Sequence, residues 1–229
     1  AKTGGQGKSG GQGKSGGQAK SPARQAKERT GPTRAERLAA AEAARRRKAV
    51  RNRALVIGAI VGLITVIAVT VINSRRSNQR VVERLEASGA CTYDTRTDRL
   101  DPPPRNHQTG DIRYEVDPPS GGNHHPTPAG PGIYTAQSRP PDSQIVHAHE
   151  HGYVTLWHRS DLDEAQLEEL RDLAGRYDRD VLLVPRDTMS QPVAATAWER
   201  RLLCSRVDAQ ALERFVTEYR NKGPERVPH

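Results

Sequence analysis

The apolar residues of this chain form one uninterrupted run and several short, spaced groups. The run covers residues 54–72, ALVIGAIVGLITVIAVTVI, which are nineteen residues without a charged side chain. An α-helix rises about 1.5 Å per residue, so about 20 apolar residues are enough to cross the hydrocarbon core of a bilayer. Only Thr65 and Thr70 are polar in this run. We therefore predict one membrane-spanning helix, retained as a signal anchor because 53 residues precede it.

Helical spacing of apolar residues recurs twice after residue 90 and predicts two amphipathic helices. The first is expected to begin at a capping pair, Asp161 and Glu164. The second is expected to begin at Asp208 and to end near Gly223.

Four short segments are rich in β-branched and apolar residues, which predicts strands. They are residues 112–116, 145–157, 181–184 and 193–198. We expect residues 145–157 to form one extended or hairpin-broken element, and the Pro/Gly-rich stretch 118–132 to be loop. The strand, helix and strand between residues 153 and 184 have the length of a parallel crossover unit. The predicted fold class is α+β, a small mixed sheet with two packing helices.

Composition separates the chain into unlike parts. All nine aromatic residues lie after residue 90, so only the C-terminal part can form a packed core. Three near-copies of the hexapeptide GGQGKS at the N-terminus predict disorder, and Thr33 with Glu36 forms a capping box for a helix that leads into the span. The predicted parts are a disordered tail (1–32), a basic juxtamembrane helix (33–53), the membrane helix (54–72), a connector (73–90) and a folded α+β domain (91–226).

The distribution of charge predicts the orientation. Residues 34–53 contain eight Lys and Arg, whereas residues 73–92 contain four. By the positive-inside rule the richer flank stays in the cytoplasm, so the folded domain lies outside the cell membrane. Residues 81–229 carry 18 basic and 24 acidic residues, so the folded domain is not expected to bind nucleic acid. The expected contact of the basic flank is the lipid membrane, with nucleic-acid binding by the tail as the less favoured alternative.

The two cysteines, Cys91 and Cys204, both lie in the predicted outer domain. In an oxidising compartment such a pair usually forms a disulfide, and the chain has no C-x-x-C motif that would indicate thiol redox chemistry. We predict a disulfide, with two buried free thiols as the alternative.

Histidines are the most chemically informative residues, and six of the eight lie between residues 124 and 158. If residues 145–157 are extended, then His147, His149 and His151 share one face of a strand, where imidazoles can converge on one metal ion. Zinc and copper are the candidate ions, because both bind imidazole nitrogen. Glu150 falls on the opposite face and is predicted to orient a histidine from behind the ligands. Further candidate ligands are His124, His125 and Met189.

The same letters match a second chemistry. His147, Glu150 and His151 fit H-x-x-E-H, a zinc-hydrolase motif with two histidines on one helical turn and the Glu as general base. The strand-like GYVTLW follows at once, and a helix over residues 145–152 would be short and isolated, which argues against this motif. Three interpretations stay open: structural histidines, metal binding without catalysis, and hydrolysis.

An ordered set of motifs resembles the bacterial family called domain of unknown function 3105. The motifs are PPSGGNHHP (118–126), GIY (132–134), VHAHEHGYVTLW (146–157), VP (184–185), PVAATAW (192–198), Cys204 and GPE (223–225). The resemblance covers most of residues 90–226 and implies a single-pass, extracytoplasmic protein without implying an activity. The recurring positions of the family correspond to His124, His147, Glu150, His151, Gly152 and Trp198. Position 149 is more often Leu in the family and position 125 is variable, so His149 and His125 fall outside the pattern.

These observations predict a membrane-anchored extracytoplasmic binding or accessory module. Its most concrete mechanism is the binding of copper or zinc by His124, His147 and His151, with Glu150 behind them. One alternative is a structural subunit that binds a membrane-protein partner and no metal. The other is a zinc-dependent hydrolase, although we assign no catalytic residue.

Overall fold

The apolar run lies in one long helix, α1 (Arg34–Leu85), in the computed structural model of the chain. The structure describes residues 31–95 and 105–225, so almost all of the predicted N-terminal tail lies outside the described residues. Helix α1 begins at the predicted capping box. The Glu36 carboxylate accepts a hydrogen bond from the Thr33 backbone N–H at 2.6 Å, and Thr33 Oγ1 accepts one from the Glu36 N–H at 3.3 Å.

The apolar part of α1 is long enough to cross a membrane, and no part of it is buried inside the protein. Each large apolar side chain between Leu55 and Ile72 exposes 43–66% of its surface. Exposure of such an apolar surface to water is unfavourable, whereas contact with lipid tails is favourable. Helix α1 continues to Leu85, so most of the stretch predicted as a connector is helical as well.

The chain divides into two units between Ile64 and Thr65, and the second contains a six-stranded mixed sheet. Its strands are β1 (Cys91–Asp94), β2 (Gly132–Ile133), β3 (Val154–His158), β4 (Val181–Pro185), β5 (Val193–Ala197) and β6 (Arg200–Cys204). Its further helices are α2 (Asp142–Glu150), α3 (Glu164–Gly175) and α4 (Ala209–Tyr219). The α+β class predicted from the sequence is confirmed.

The strand order is β1-β6-β5-β3-β4-β2. Strands β3 and β4 are parallel, with Leu156 opposite Leu183, and α3 connects them as the predicted crossover. Strand β2 adds a second parallel pair at the edge, beside β4. The pairs β3–β5, β5–β6 and β6–β1 are antiparallel.

The sheet separates two apolar clusters, because side chains alternate between the faces of each strand. Val154 and Leu156 of β3 face the larger cluster, which also contains the apolar faces of α3 and α4. Trp157 of the same strand faces the smaller cluster, where Ile145 and Ala148 of α2 pack. Helix α2 therefore covers the face of the sheet opposite to α3 and α4.

Two predictions about the strands were wrong. Residues 145–157 are not one extended element, because they contain most of α2, a turn at Gly152 and most of β3. The helix is favoured because Ile145 and Ala148, three residues apart, can both pack on the sheet only at helical spacing. Residues 112–116 contain no strand.

The helix starts were predicted with mixed success. Asp208 caps α4 as predicted, and its side chain accepts a hydrogen bond from the Ala211 N–H at 3.0 Å. Helix α3 is capped by Asp163, which accepts from the Gln166 N–H at 2.9 Å, and not by Asp161 as expected. Strands β1, β2 and β6 had no counterpart among the predicted elements.

Cys91 and Cys204 lie directly opposite each other in the β1–β6 pair and form a disulfide, as predicted. Their Cα atoms are 4.0 Å apart, well inside the separation of about 7 Å beyond which no bridge forms. Both residues are buried in the larger apolar cluster. Since they are 113 residues apart in sequence, the bridge closes a long loop in the unfolded chain.

Replacing both cysteines by alanine should lower the free energy of unfolding, because the unfolded chain then regains the entropy of that loop. The chain-entropy model sets an upper value of about 4–5 kcal/mol for a loop of this length. Urea unfolding of the full chain in detergent can be followed by the fluorescence of Trp157 and Trp198, which both lie in the domain. The unchanged chain in reductant is the control and should match the double variant. An unfolding midpoint that neither change alters would contradict the prediction.

Candidate functional site

Helix α2 and the residue that caps its C-terminus, His151, carry three titratable side chains on the face turned away from the sheet. His147, Glu150 and His151 are three and four residues apart, a spacing that stacks side chains along one face of a helix. The helix ends before Gly152, which has a φ of 91° that favours glycine. The H-x-x-E-H motif therefore has the helical geometry that the sequence analysis had argued against.

A loop brings His124 beside this face. The His124 N–H donates to the Asn106 carbonyl at 3.1 Å, and the Gln108 N–H donates to the His124 carbonyl at 2.8 Å. These two bonds form a short parallel bridge between His107 and His124. The bridge carries the imidazole of His107 into the same place.

The first group of ligand-type side chains, called the inner set, consists of His107, His124, His147 and Glu150. One ligand atom from each residue lies within 4.8 Å of those of the other three. The Glu150 Oε2 is 2.9 Å from the His124 Nε2 and 3.8 Å from the His107 Nε2. The side chain of His124 is fully buried, whereas that of His107 is 48% exposed. The inner set thus has a buried side and an open side.

Backbone carbonyls fix the tautomers of two of these histidines. The His124 Nδ1–H donates to the Gly122 carbonyl at 2.9 Å, and the His147 Nδ1–H donates to the His125 carbonyl at 2.6 Å. A carbonyl oxygen can only accept, so in each neutral ring the Nε2 carries the lone pair. Metal-binding histidines in proteins are commonly oriented in this way.

The Nε2 of His124 is buried and has no hydrogen bond among the described residues, although Glu150 Oε2 is only 2.9 Å away. An imidazole lone pair and a carboxylate at this distance repel each other unless a proton or a metal cation lies between them. The arrangement therefore fits a bound cation.

Burial keeps His147 neutral. Loss of solvation is the main cause that lowers the pKa of His147 to about 4. The hydrogen bond to the His125 carbonyl opposes this change, and the neighbouring His151, His124 and His107 rings add to it. The ring is thus unprotonated at neutral pH. Its Nε2 lone pair is available for a metal ion, which competes with protons for the same nitrogen.

A second group, called the outer set, consists of His147, His151 and Glu225, whose ligand atoms also lie within 4.8 Å of one another. The His147 and His151 Nε2 atoms are 3.0 Å apart, and the His151 Nε2 is 3.4 Å from the Glu225 Oε2. Two ligands about 2.0–2.1 Å from one zinc ion can be this close. The Glu225 side chain is 50% exposed, so the outer set is open to solvent.

The segment after α4 places Glu225 at the end of α2. The Glu225 N–H donates to the Glu150 carbonyl at 3.1 Å, and the Asn221 N–H donates to the Gly152 carbonyl at 2.8 Å. A Cβ atom on Gly223 would overlap the Glu150 carbonyl oxygen and the Gly152 nitrogen. Only glycine allows the two backbones to approach so closely.

Three residues proposed as ligands have other positions. His149 faces the sheet, where its Nε2 lies 2.9 Å from Thr155 Oγ1, and burial lowers its pKa to about 3. His125 contributes its carbonyl to His147, while its ring accepts from the Thr127 N–H at 3.0 Å. Met189 is buried in the smaller apolar cluster. None of the three belongs to the inner or the outer set.

Comparison with known proteins identifies the family. The sequence model of the family DUF3105, described as a protein of unknown function, matches residues 106–228, more than half of the chain. The chain belongs to the DUF3105 family. No significant match was found among curated proteins or among solved structures.

The matched region of the DUF3105 protein contains every member of both sets, from His107 to Glu225. The predicted site residues His124, His147, His151 and Glu150 all belong to these two sets. Glu150 was predicted to lie on the face opposite to His147, whereas the helix places both residues on one face. His107 and Glu225 were missed as ligands, although Glu225 belongs to the GPE motif that was noted.

Replacing Gly223 by alanine should destabilise the DUF3105 domain by about 1–3 kcal/mol, because the new Cβ overlaps backbone atoms that cannot move independently. Urea unfolding followed by tryptophan fluorescence measures the change. Gly175→Ala is the matched control, since nothing lies within 4 Å of its Cβ position, and it should leave stability equal or slightly higher. Equal stability of the two variants would show that the close approach at Gly223 is unimportant.

Proposed function

We propose that the folded domain binds one transition-metal ion through its histidine cluster, outside a membrane in which α1 anchors the chain. The observation that carries this proposal is the pair of buried Nε2 lone pairs on His124 and His147. Each is held by a bond from Nδ1–H to a carbonyl, and Glu150 lies 2.9 Å from one of them. A cation would remove the repulsion and satisfy the unpaired nitrogen.

The donor atoms indicate which ions would fit. The inner set offers three imidazole nitrogens and one carboxylate oxygen. Imidazole and carboxylate ligands suit zinc and divalent copper, whereas cuprous ion prefers sulfur. Since Met189 lies in an apolar cluster, no thioether supports a cuprous site. Zinc and divalent copper are therefore the proposed ions.

In a metal-free accessory module, protons shared between the side chains would explain the same short distances. In that case His151 Nε2–H would donate to His147 Nε2 at 3.0 Å, and a proton would lie between His124 and Glu150. Such a module would instead bind a membrane-protein partner. Direct measurement of metal binding separates the two functions.

The metal-depleted full chain in detergent should bind about one equivalent of zinc or divalent copper in a calorimetric titration. His147→Ala should weaken that binding by more than about 100-fold, since it removes a ligand where even outer-shell changes weaken binding by 10–100-fold. The domain should stay folded, because the disulfide and the two apolar clusters do not involve this side chain.

His125→Ala is the matched control for this experiment. Its ring belongs to neither set, and its backbone carbonyl still accepts from His147 after the substitution. This variant should bind the ion as the unchanged chain does. If the unchanged chain binds neither zinc nor copper, the metal-free accessory function replaces the proposal.

The helical H-x-x-E-H geometry favours a second candidate, zinc-dependent hydrolysis. In that chemistry the glutamate activates a zinc-bound water as general base. Here the Glu150 side chain is 9% exposed and its oxygen is already beside His124. Binding without catalysis therefore ranks first. Peptide hydrolysis by the zinc-loaded chain, lost in Glu150→Gln, would reverse this order.

We infer that the N-terminus is cytoplasmic and the domain extracytoplasmic, from the excess of Lys and Arg on the N-terminal flank. A reporter enzyme that works only outside the membrane should be active when fused after His229 and silent when fused to the N-terminus. Replacing residues 45–48 by glutamine leaves four Lys and Arg on each flank and should give both orientations. The opposite pattern of activity in the unchanged chain would contradict the inference.

A further inference from the structure

Two ligand sets in this domain share His147, whose Nε2 is the ring nitrogen that carries the lone pair. The other ring nitrogen, Nδ1, donates to the His125 carbonyl at 2.6 Å and is not available as a ligand. The shared nitrogen has one lone pair and binds one ion at a time. The inner and outer sets therefore cannot each hold an ion through His147. A single ion is therefore held either by one set at a time or by both sets together.

The two positions differ in their contact with solvent. In the inner set, the His124 and Glu150 side chains are 0% and 9% exposed, and His107 is 48% exposed. In the outer set, the His151 and Glu225 side chains are 16% and 50% exposed. An ion in the outer set is therefore in contact with water at both partners of His147, whereas water reaches the inner set only past His107.

We propose that His147 transfers one divalent metal ion between the outer set, where it enters and leaves, and the inner set, where it is held. This inference rests on the proposed metal binding and adds a route for exchange. The ion keeps its bond to His147 Nε2 throughout. Its bonds to His151 and Glu225 break while those to His124 and Glu150 form, with no change in oxidation state.

The geometry supports a short path. The His147 ring centroid is 4.5 Å from that of His151 and 4.9 Å from that of His124. The Glu225 N–H donates to the Glu150 carbonyl, so the backbone of a residue of the outer set lies beside that of a residue of the inner set. The ion can exchange ligands one at a time without returning to water.

The test measures rates and affinity separately, on the metal-depleted full chain in detergent. Zinc loading is followed by rapid mixing and tryptophan fluorescence, because the Trp198 ring lies 5.8 Å from that of His124. Zinc removal is followed after addition of excess EDTA. The variant is Glu225→Gln, which keeps the shape of the side chain and removes its charge. Glu218→Gln in α4 is the control for the same loss of charge.

A residue on the exchange route changes both rates equally and leaves the equilibrium in place. Glu225→Gln should therefore slow loading and removal alike by about tenfold, while the dissociation constant changes by less than about threefold. Glu150→Gln, in the inner set, should instead raise the dissociation constant by about 10–100-fold. Glu218→Gln should behave as the unchanged chain.

Three results would overturn the inference while zinc binding itself persists. Slower loading with unchanged removal would mean that Glu225 only attracts cations by its charge. A dissociation constant raised as much as in Glu150→Gln would mean that both sets bind the ion together. Unchanged rates would remove Glu225 from the route. If the unchanged chain binds no zinc, the proposed function fails first and the inference with it.

His151→Gln is a second variant in case Glu225→Gln does not fold. It removes the other ligand that belongs to the outer set alone, and its ring is only partly buried. The same equal slowing of both rates is expected. An unchanged rate of zinc removal in this variant would also overturn the inference.

Discussion

The candidate site depends on where α2 is held against the sheet. The helix has nine residues, fewer than the roughly 12–15 that give even a marginal helix in isolation, so its contacts must fix it. Ile145 and Ala148 pack into the smaller apolar cluster, and Asp142 in the first turn pairs with the mostly buried Arg186 at 2.7 Å. Because these contacts set the rotation of the helix about its axis, they also decide that His147 and Glu150 point away from the sheet. The apolar residues of α2 thus aim its ligands.

This orientation of the ligand side chains has an energetic cost, because it buries polar groups beside one another. A buried ionised carboxylate without a partner is strongly unfavourable, and an unpaired ring nitrogen adds to the cost. Glu150 and the His124 Nε2 face each other in this way. The other polar atoms of the site are used to fix geometry, since Nδ1–H groups are bonded to carbonyls. An ion is the partner that the remaining acceptors have in common.

Sequence reasoning found most of this site although it misassigned the secondary structure, and the reason lies in two periodicities. Residues four apart share a face on both a strand and a helix, so His147 and His151 were paired correctly in either case. Residues two apart share a face only on a strand, so the strand assignment wrongly included His149 among the ligands. Residues three apart share a face only on a helix, so the strand assignment placed Glu150 on the face opposite to His147. His107 is brought to the site by a backbone bridge and Glu225 by the close contact at Gly223. Both contacts join residues far apart in sequence, so no local sequence pattern predicts them.

The contacts that stabilise the fold do not involve the proposed ion. A structural zinc site is closed, and domains built around one unfold without the metal. Here two apolar clusters and a disulfide between β1 and β6 hold the sheet independently of the histidines. The ligands lie outside both clusters, and two of them, His107 and Glu225, are exposed. An ion at this place could leave without unfolding the domain. Exchange requires this property, and a purely structural metal would not need the open side that Glu225 and His107 provide.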